Sequence, residues 1–186
     1  MRAFTTFIIA ALLAVPAVKG GAAAQSEPTV KIEYDQREAM VVHASIDIAA
    51  PPATVWAVIT DCERAPRYVP NLESCRIVQR DPAGRWQLRA TVMNVALLPR
   101  INTLSRLEFE PKRRVSFTRA GGDMRIAEGE WQLESLAKGK ATRLHYKSAL
   151  ALNFFVPRFL VNQAAERDFP TLMKAIERES LHDAGH

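Results

Sequence analysis

The 186-residue sequence lacks the residue groupings on which most catalytic and metal centres are built. His182 and His186 fall in a polar C-terminal tail, and His43 and His145 are predicted to face water on strands. None of them completes a Ser-His-Asp grouping, and neither cysteine has a base beside it. No glycine-rich phosphate loop and no metal-ligand spacing occurs. The sequence therefore predicts no metal site and no cofactor.

An excess of charge of one sign is also missing. The 25 basic residues only slightly outnumber the 20 acidic ones, and two of them, Arg2 and Lys19, belong to an N-terminal segment of separate character. The others are scattered along the chain instead of clustering with aromatic residues, so we predict no nucleic-acid partner. A weak attraction to an anionic membrane surface is compatible with this balance.

Long apolar runs are absent except near the N-terminus. Arg2 precedes an apolar segment at 4–18, and residues 19–24 are small and end in three alanines. This pattern is typical of a cleaved export signal at 1–24. The apolar segment is shorter than the roughly 20 residues of a membrane-spanning helix. We expect cleavage before Gln25 and a periplasmic or secreted protein.

The two cysteines, Cys62 and Cys75, have two interpretations. In an oxidising compartment they would form a disulfide that stabilises the fold by roughly 3 kcal/mol. Alternatively, both are small buried hydrophobic residues at the ends of neighbouring elements. The spacing does not determine the Cα separation that a disulfide requires, so both interpretations stay open.

The remaining sequence reads as one domain at 38–181. Residues 25–37 are polar and predict a flexible or edge-lying extension, and residues 182–186 form a tail. An alternating first strand begins near residue 40 and ends at Pro51 and Pro52, because proline cannot continue a strand but suits the first turn of a helix. Two short helices are expected before the next strand.

Turn signals divide the following sequence into six strands and one long helix. The strands are expected at 72–80, 85–96, 100–110, 113–120, 125–136 and 141–152. Their short connections predict an antiparallel meander, which with the first strand makes seven strands. The longest helical pattern spans 155–181, and Pro170 predicts a kink or break near Glu166 to Phe169.

Four motifs resemble one known superfamily. They are IDIAAPPATVWAVITD from Ile46, Tyr68-Val69-Pro70-Asn71, Gly129-x-Trp131-x-Leu133 and Thr142-x-Leu144-x-Tyr146. They are similar to the SRPBCC or START-like superfamily, and most to its polyketide cyclase/dehydrase and coenzyme Q-binding branch, over residues 38–181. The resemblance implies an α+β helix-grip fold: a curved seven-stranded antiparallel sheet around a long C-terminal helix, with an apolar cavity between them. It leaves function open, since this fold hosts several functions.

Strand parity and helix spacing predict which side chains line that cavity. The candidate ligand-binding residues are Trp86, Phe117, Arg119, Trp131 and Tyr146 from the sheet, and Phe155, Phe159, Asn162 and Glu166 from the helix. The same parity places Arg89 on the water-facing side. Alternatively, the aromatic residues only fill the core, and Arg119 reaches water beside its turn.

The preferred hypothesis for function is a carrier or binding protein for a hydrophobic small molecule, such as a lipid or polyprenyl quinone. The first alternative is a cyclase or dehydratase acting on an aromatic metabolite, with Tyr146, Glu166 and Arg119 as acid, base and electrostatic stabiliser. The second is a protein-interaction module that uses its apolar loops. No residue is predicted as catalytic under the preferred hypothesis.

Two apolar loops lie where the resemblance places the cavity mouth. They contain Leu97, Leu98, Phe154 and Phe155, beside Arg100 and Arg158. Such loops predict either caps over the pocket or transient contact with a bilayer, in which the arginines meet phosphates.

Overall fold

A computed structural model describes residues 26–95 and 98–185. The expected signal segment at 1–24 and Leu97 lie outside these residues. The strands are β1 Thr29–Tyr34, β2 Met40–Ile48, β3 Leu72–Arg80, β4 Trp86–Met93, β5 Ile101–Glu110, β6 Arg114–Gly122, β7 Met124–Leu136 and β8 Ala141–Leu152. The helices are α1 Pro52–Thr60, α2 Ala65–Tyr68 and α3 Arg158–Ala184, with a 3₁₀ turn at Ala137–Gly139.

The strands form one antiparallel sheet in the order β1-β2-β8-β7-β6-β5-β4-β3. The predicted meander is observed from β3 to β8, β2 pairs with β8, and the curved sheet with a C-terminal helix is confirmed. The predicted number of seven strands is wrong. Residues 29–34, assigned to the N-terminal extension, form an additional edge strand that pairs with β2 from Thr29–Ser45 to Tyr34–Met40.

The core lies where α1 and the second half of α3 pack on β2 and β8. Pro52 occupies the first turn of α1, as its missing N–H allows. The apolar face of α1 is buried through Val55, Val58 and Ile59. From the sheet, the fully buried side chains include Val42, Ile48 and Leu144, and from α3 they include Met173 and Ile176. This packing leaves the opposite half of the concave sheet less covered.

Helix α3 continues through Pro170, so it does not break there, and the alternative of a kink stays a prediction. Proline removes the N–H that would bond the Glu166 carbonyl, and one turn later Thr171 Oγ1 donates a hydrogen bond of 2.7 Å to the Arg167 carbonyl. The helix nevertheless differs on the two sides of the proline. Before it only Ala165 is buried, whereas after it the buried residues are Leu172, Met173, Ala175, Ile176, Glu177 and Ser180.

Thr142 links the start of β8 to the end of β2. Its hydroxyl donates a hydrogen bond of 2.7 Å to the Ala50 carbonyl, and both residues are fully buried. Thr142→Val keeps the shape but leaves that carbonyl without a partner, so we expect a loss of about 1–3 kcal/mol in the free energy of unfolding. Denaturant titration measures it, with Thr118→Val at an exposed strand position as the control. Equal effects of the two substitutions would contradict the prediction.

Candidate functional site

Four aromatic side chains converge on the inner face of the sheet. Tyr146 is the centre: its ring centroid lies 4.3 Å from that of Trp131, 5.7 Å from that of Phe169 and 6.4 Å from that of Phe117. We call these four residues the aromatic cluster. Phe117, Trp131 and Tyr146 come from β6, β7 and β8, and Phe169 comes from α3.

The strand register explains how the cluster assembles. Trp131 lies directly opposite Tyr146, and Gly129 lies opposite both Phe117 and Ser148. Residues opposite each other in antiparallel strands share a face, so these side chains point to the same side. Gly129 makes room for its neighbour, because a Cβ there would lie 2.7 Å from the tip of the Phe117 ring. A larger residue at this position would push that ring out of the cluster.

The concave face is open on one side. On β2 and β8 the inward residues, such as Val42, Leu144 and Tyr146, are buried. On β5 and β6 the inward residues Leu107 and Phe117 are only half-buried, although they occupy the same face. The inner face of β4 to β6 is therefore reached by solvent. We call this uncovered region, bordered by the aromatic cluster, the concave groove.

Two hydroxyl groups lie beside the aromatic cluster. Burial raises the pKa of Tyr146 to about 12, and the Ser148 hydroxyl offsets a smaller part of that rise. Tyr146 therefore stays a neutral phenol at physiological pH, and its hydroxyl both donates and accepts hydrogen bonds. Ser148 is 1% exposed, and its Oγ has no hydrogen-bond partner of normal geometry within residues 26–95 and 98–185. Unpaired buried hydroxyls of this kind are unusual in native proteins.

Arg89 is the main polar residue that sequence reasoning misplaced. It was predicted to face water, yet it lies on the inner face, opposite Ser105, and is 6% exposed. Its Nη2 donates to the Thr60 carbonyl at 2.5 Å, and its guanidinium lies 5.8 Å from the centre of the Phe109 ring. Burial lowers the pKa of Arg89. A cation at the C-terminal end of α1 also offsets the helix dipole, so Arg89 fastens α1 to the sheet.

Trp86 lies on the outer face of the sheet, so its predicted inward orientation is wrong. It sits opposite Glu108, and the Arg106 guanidinium covers its ring at 4.3 Å. It borders a surface depression of about 490 Å³ on that outer side. Strand parity gave the wrong face for Trp86 because β4 is half-buried on both faces, so its inward and outward side chains differ little in exposure.

The helix residues before Pro170 are placed differently from the prediction. Phe155 is 89% exposed and Phe159 is 69% exposed, and Glu166 also faces solvent. None of the three belongs to the buried core or packs against it. Asn162 is half-buried as predicted, but its Oδ1 already accepts a 2.7 Å hydrogen bond from the Tyr34 hydroxyl.

Arg119 follows the alternative that sequence reasoning left open. It is exposed, and its guanidinium donates to the carbonyls of Met124 and Gly122. It therefore braces the turn between β6 and β7. Of the nine candidate binding residues, the structure brings together Phe117, Trp131 and Tyr146. Ligand contact by any of the nine stays a prediction.

The open end of the groove is formed by three adjoining chain segments. Asp123 N–H donates to the Asn102 carbonyl at 2.7 Å, and Asn153 N–H donates to the Asp123 carbonyl at 3.0 Å. The β4–β5 and β8–α3 connections, with Leu98 and Phe154 half-buried, therefore leave the sheet at the same end. Among the described residues, no helix has the length and hydropathy of a membrane span.

Cys62 and Cys75 form a disulfide with a Cα separation of 5.4 Å. It joins the segment between α1 and α2 to the edge strand β3. The α2 segment is held further by Asn71, which adopts a left-handed backbone conformation and donates a 2.8 Å hydrogen bond to Asp168 of α3. Together these links fix the short helices beside the concave face.

A curved antiparallel sheet that wraps a long C-terminal helix and keeps an aromatic concave face defines the helix-grip, START-like class of proteins. Within that class, the chain belongs to the polyketide cyclase/dehydrase and lipid transport family, whose model matches residues 48–177. The family groups cyclases and dehydrases with lipid transport, so both of these functions are represented in it.

Three solved structures show the same fold. TTHA0849 from Thermus thermophilus is 26% identical, with a TM-score of 0.65 over 77% of this chain and 99% of its own. The Zhui aromatase/cyclase from a Streptomyces species is 18% identical, with a TM-score of 0.65 over 76% and 93%. Human StAR-related lipid transfer protein 5 is 10% identical, with a TM-score of 0.70 over 88% and 89%.

Proposed function

We propose that this protein is an exported carrier that holds a hydrophobic small molecule in the concave groove. The observation that carries the proposal is the combination of an aromatic cluster with inward strand residues that remain half-buried. Aromatic-lined concave surfaces with few polar groups are typical of small-molecule sites. The name of the human lipid transfer protein and the family description agree with this function.

Two features support export. The sequence begins with the pattern of a cleaved signal, and the disulfide between Cys62 and Cys75 suits an oxidising compartment. N-terminal sequencing of protein recovered from the periplasm or the medium is expected to start at Gln25. Recovery of the uncleaved chain from the cytoplasm would contradict this part of the proposal.

The cargo is tested by mass spectrometry of an organic extract of protein purified without detergent. We expect one class of lipid or quinone in near-stoichiometric amount. Phe117→Asp, which places a charge in the groove, is the matched variant, and it should lose that cargo while it keeps a folded circular dichroism spectrum. Extracts that hold no apolar compound, or hold the same amount with both proteins, would contradict the carrier.

The enzyme alternative has one observation in its favour, the buried neutral phenol of Tyr146. A neutral phenol carries the proton that a general acid in a cyclase or dehydratase donates, but a pKa of about 12 lies well above the operating pH at which such an acid works best. Its predicted partners do not join it, because Glu166 and Arg119 are both exposed. The enzyme alternative is favoured if the protein turns over an aromatic polyketide analogue and Tyr146→Phe abolishes this turnover. If the variant retains the turnover, Tyr146 is not the acid.

We further propose that the open end of the groove touches a bilayer during cargo exchange. Phe155 and Phe159 are exposed there, and Arg158 lies between them, paired with Glu38 at 3.0 Å. Burying one phenylalanine in lipid contributes about 1.5–3 kcal/mol, which corresponds to at least a roughly tenfold change in binding.

Phe155→Asp with Phe159→Asp is therefore expected to weaken binding to vesicles containing anionic lipid by tenfold or more. The matched control is Val78→Asp, because Val78 is also a large exposed apolar residue, 52% exposed, but lies on the edge strand β3. Vesicle co-sedimentation measures the effect. Equal binding of all three proteins would contradict this contact.

A further inference from the structure

Ser148 lies at the inner end of the concave groove, where no described residue gives its hydroxyl a hydrogen bond of normal geometry. It sits on the inner face of β8, between Val42 on one side and Gly129 on the other. Val42 is fully buried and apolar, and Gly129 offers no side chain. The hydroxyl is thus enclosed by groups that provide it with no side-chain acceptor or donor of normal geometry.

One ring separates this hydroxyl from the open groove. The tip of Phe117 lies over Gly129, the residue opposite Ser148. Phe117 itself is only half-buried, because it borders the solvent-reached side of the sheet. Phe117 therefore lies between Ser148 and the solvent-reached side of the sheet.

The second hydroxyl near this point comes from Tyr146. It is the hydroxyl nearest in kind to a partner for Ser148, since hydrogen bonding from the Ser148 side chain lowers the pKa that burial raises, although the pair does not reach normal hydrogen-bond geometry. Both groups are neutral at physiological pH, and both are able to donate. The other members of the aromatic cluster carry no formal charge. A partner of this pair is therefore a neutral polar group, since an anion would be buried here without a cation, and a carbonyl oxygen is a neutral group that accepts from such hydroxyls.

We propose that the cargo carries a neutral carbonyl oxygen that accepts a hydrogen bond from Ser148, beside Tyr146, with its apolar remainder lying along the aromatic cluster toward Phe155 and Phe159. This inference rests on the carrier function proposed above and adds the chemical class of the cargo. It distinguishes ketones, quinones and esters from hydrocarbons and from fatty-acid anions. A buried water on Ser148 is the competing occupant.

The test uses two probes of similar planar shape, 2-acetylnaphthalene and 2-isopropenylnaphthalene, in which a methylene group replaces the carbonyl oxygen. Titration calorimetry, on protein from which the cargo has been removed, is expected to show tighter binding of the ketone than of the hydrocarbon. Ser148→Ala should weaken the ketone by about threefold to tenfold, the range of one hydrogen bond, and leave the hydrocarbon unchanged. Ser116→Ala, on the outer face of β6 opposite Glu130, is the matched control and should change neither.

Each outcome decides the inference. If Ser148→Ala binds both probes as the natural protein does, the hydroxyl is occupied by water and the inference is wrong. If it weakens both probes equally, Ser148 acts through packing and the inference is also wrong. If neither probe binds the natural protein and no cargo is extracted from it, the proposed carrier function is wrong, and the inference that rests on it is wrong with it. Folding of Ser148→Ala is not at issue, since the change removes an unpaired buried hydroxyl.

Discussion

Replacing Cys62 and Cys75 together by serine is expected to lower the free energy of unfolding by about 3 kcal/mol. The disulfide closes a loop with a sequence separation of 13 residues, and a cross-link of that length restricts the unfolded chain by about this amount. It also connects the α1–α2 segment to β3, an edge strand with a neighbour on one side only. Denaturant titration under oxidising conditions measures the loss.

Reductant provides the control for this prediction. Dithiothreitol should destabilise the natural protein by a similar amount and leave the double serine variant unchanged. The natural protein retaining its full stability after complete reduction would show that the covalent link contributes nothing. A larger loss in the variant than in the reduced protein would measure the cost of placing serine at Cys62, which is 3% exposed.

The fold was predictable because its signals are local. Pro51 and Pro52 end β2 and begin α1, and short turns separate the strands from β3 to β8, so the meander follows from the chain order. The missed strand β1 has three inward apolar residues, Val30, Ile32 and Tyr34, in only six positions. Such a short alternation in a polar stretch is a weak pattern, and pairing with β2 is what stabilises it.

The site was predictable only where one face of a strand is clearly more buried than the other. On β6, β7 and β8 the parity identified Phe117, Trp131 and Tyr146 correctly as sharing the inner face. On β4 it placed Trp86 inside and Arg89 outside, the reverse of the structure. Arg89 is stabilised inside by the Thr60 carbonyl at the end of α1, a tertiary partner that no strand pattern reveals.

The helix shows a similar limit. Spacing of three and four places Phe159 and Glu166 on the same stripe as Met173, yet only Met173 is buried. Such spacing predicts the buried face where a helix packs on a core, but in this half of α3 the side chains that pack on the core include Val161 and Ala165, each one position before the predicted stripe. The exposed phenylalanines at that end therefore belong to the protein surface, and their spacing does not mark a buried face.

Replacing Tyr146 by alanine is expected to lower the free energy of unfolding by about 3–5 kcal/mol, as for other large aromatic residues in cores. Tyr146 is 8% exposed and is the residue that contacts all three other rings of the aromatic cluster. Its loss opens a cavity between β8 and α3, and both Trp131 and Phe169 lose a neighbour. Near-ultraviolet circular dichroism and denaturant titration report these changes together.

Tyr146→Phe separates the ring from its hydroxyl. The phenylalanine ring keeps the stacking with Phe117, Trp131 and Phe169, so this variant should lose less than about 1.5 kcal/mol, in line with a change of nearly constant volume. If Tyr146→Phe and Tyr146→Ala lower the free energy of unfolding equally, the phenol hydroxyl, and not the packing of the ring, stabilises this part of the core. Because the cluster borders the groove, the alanine variant should also lose the extracted cargo, whereas the phenylalanine variant should keep its apolar contacts and retain part of it.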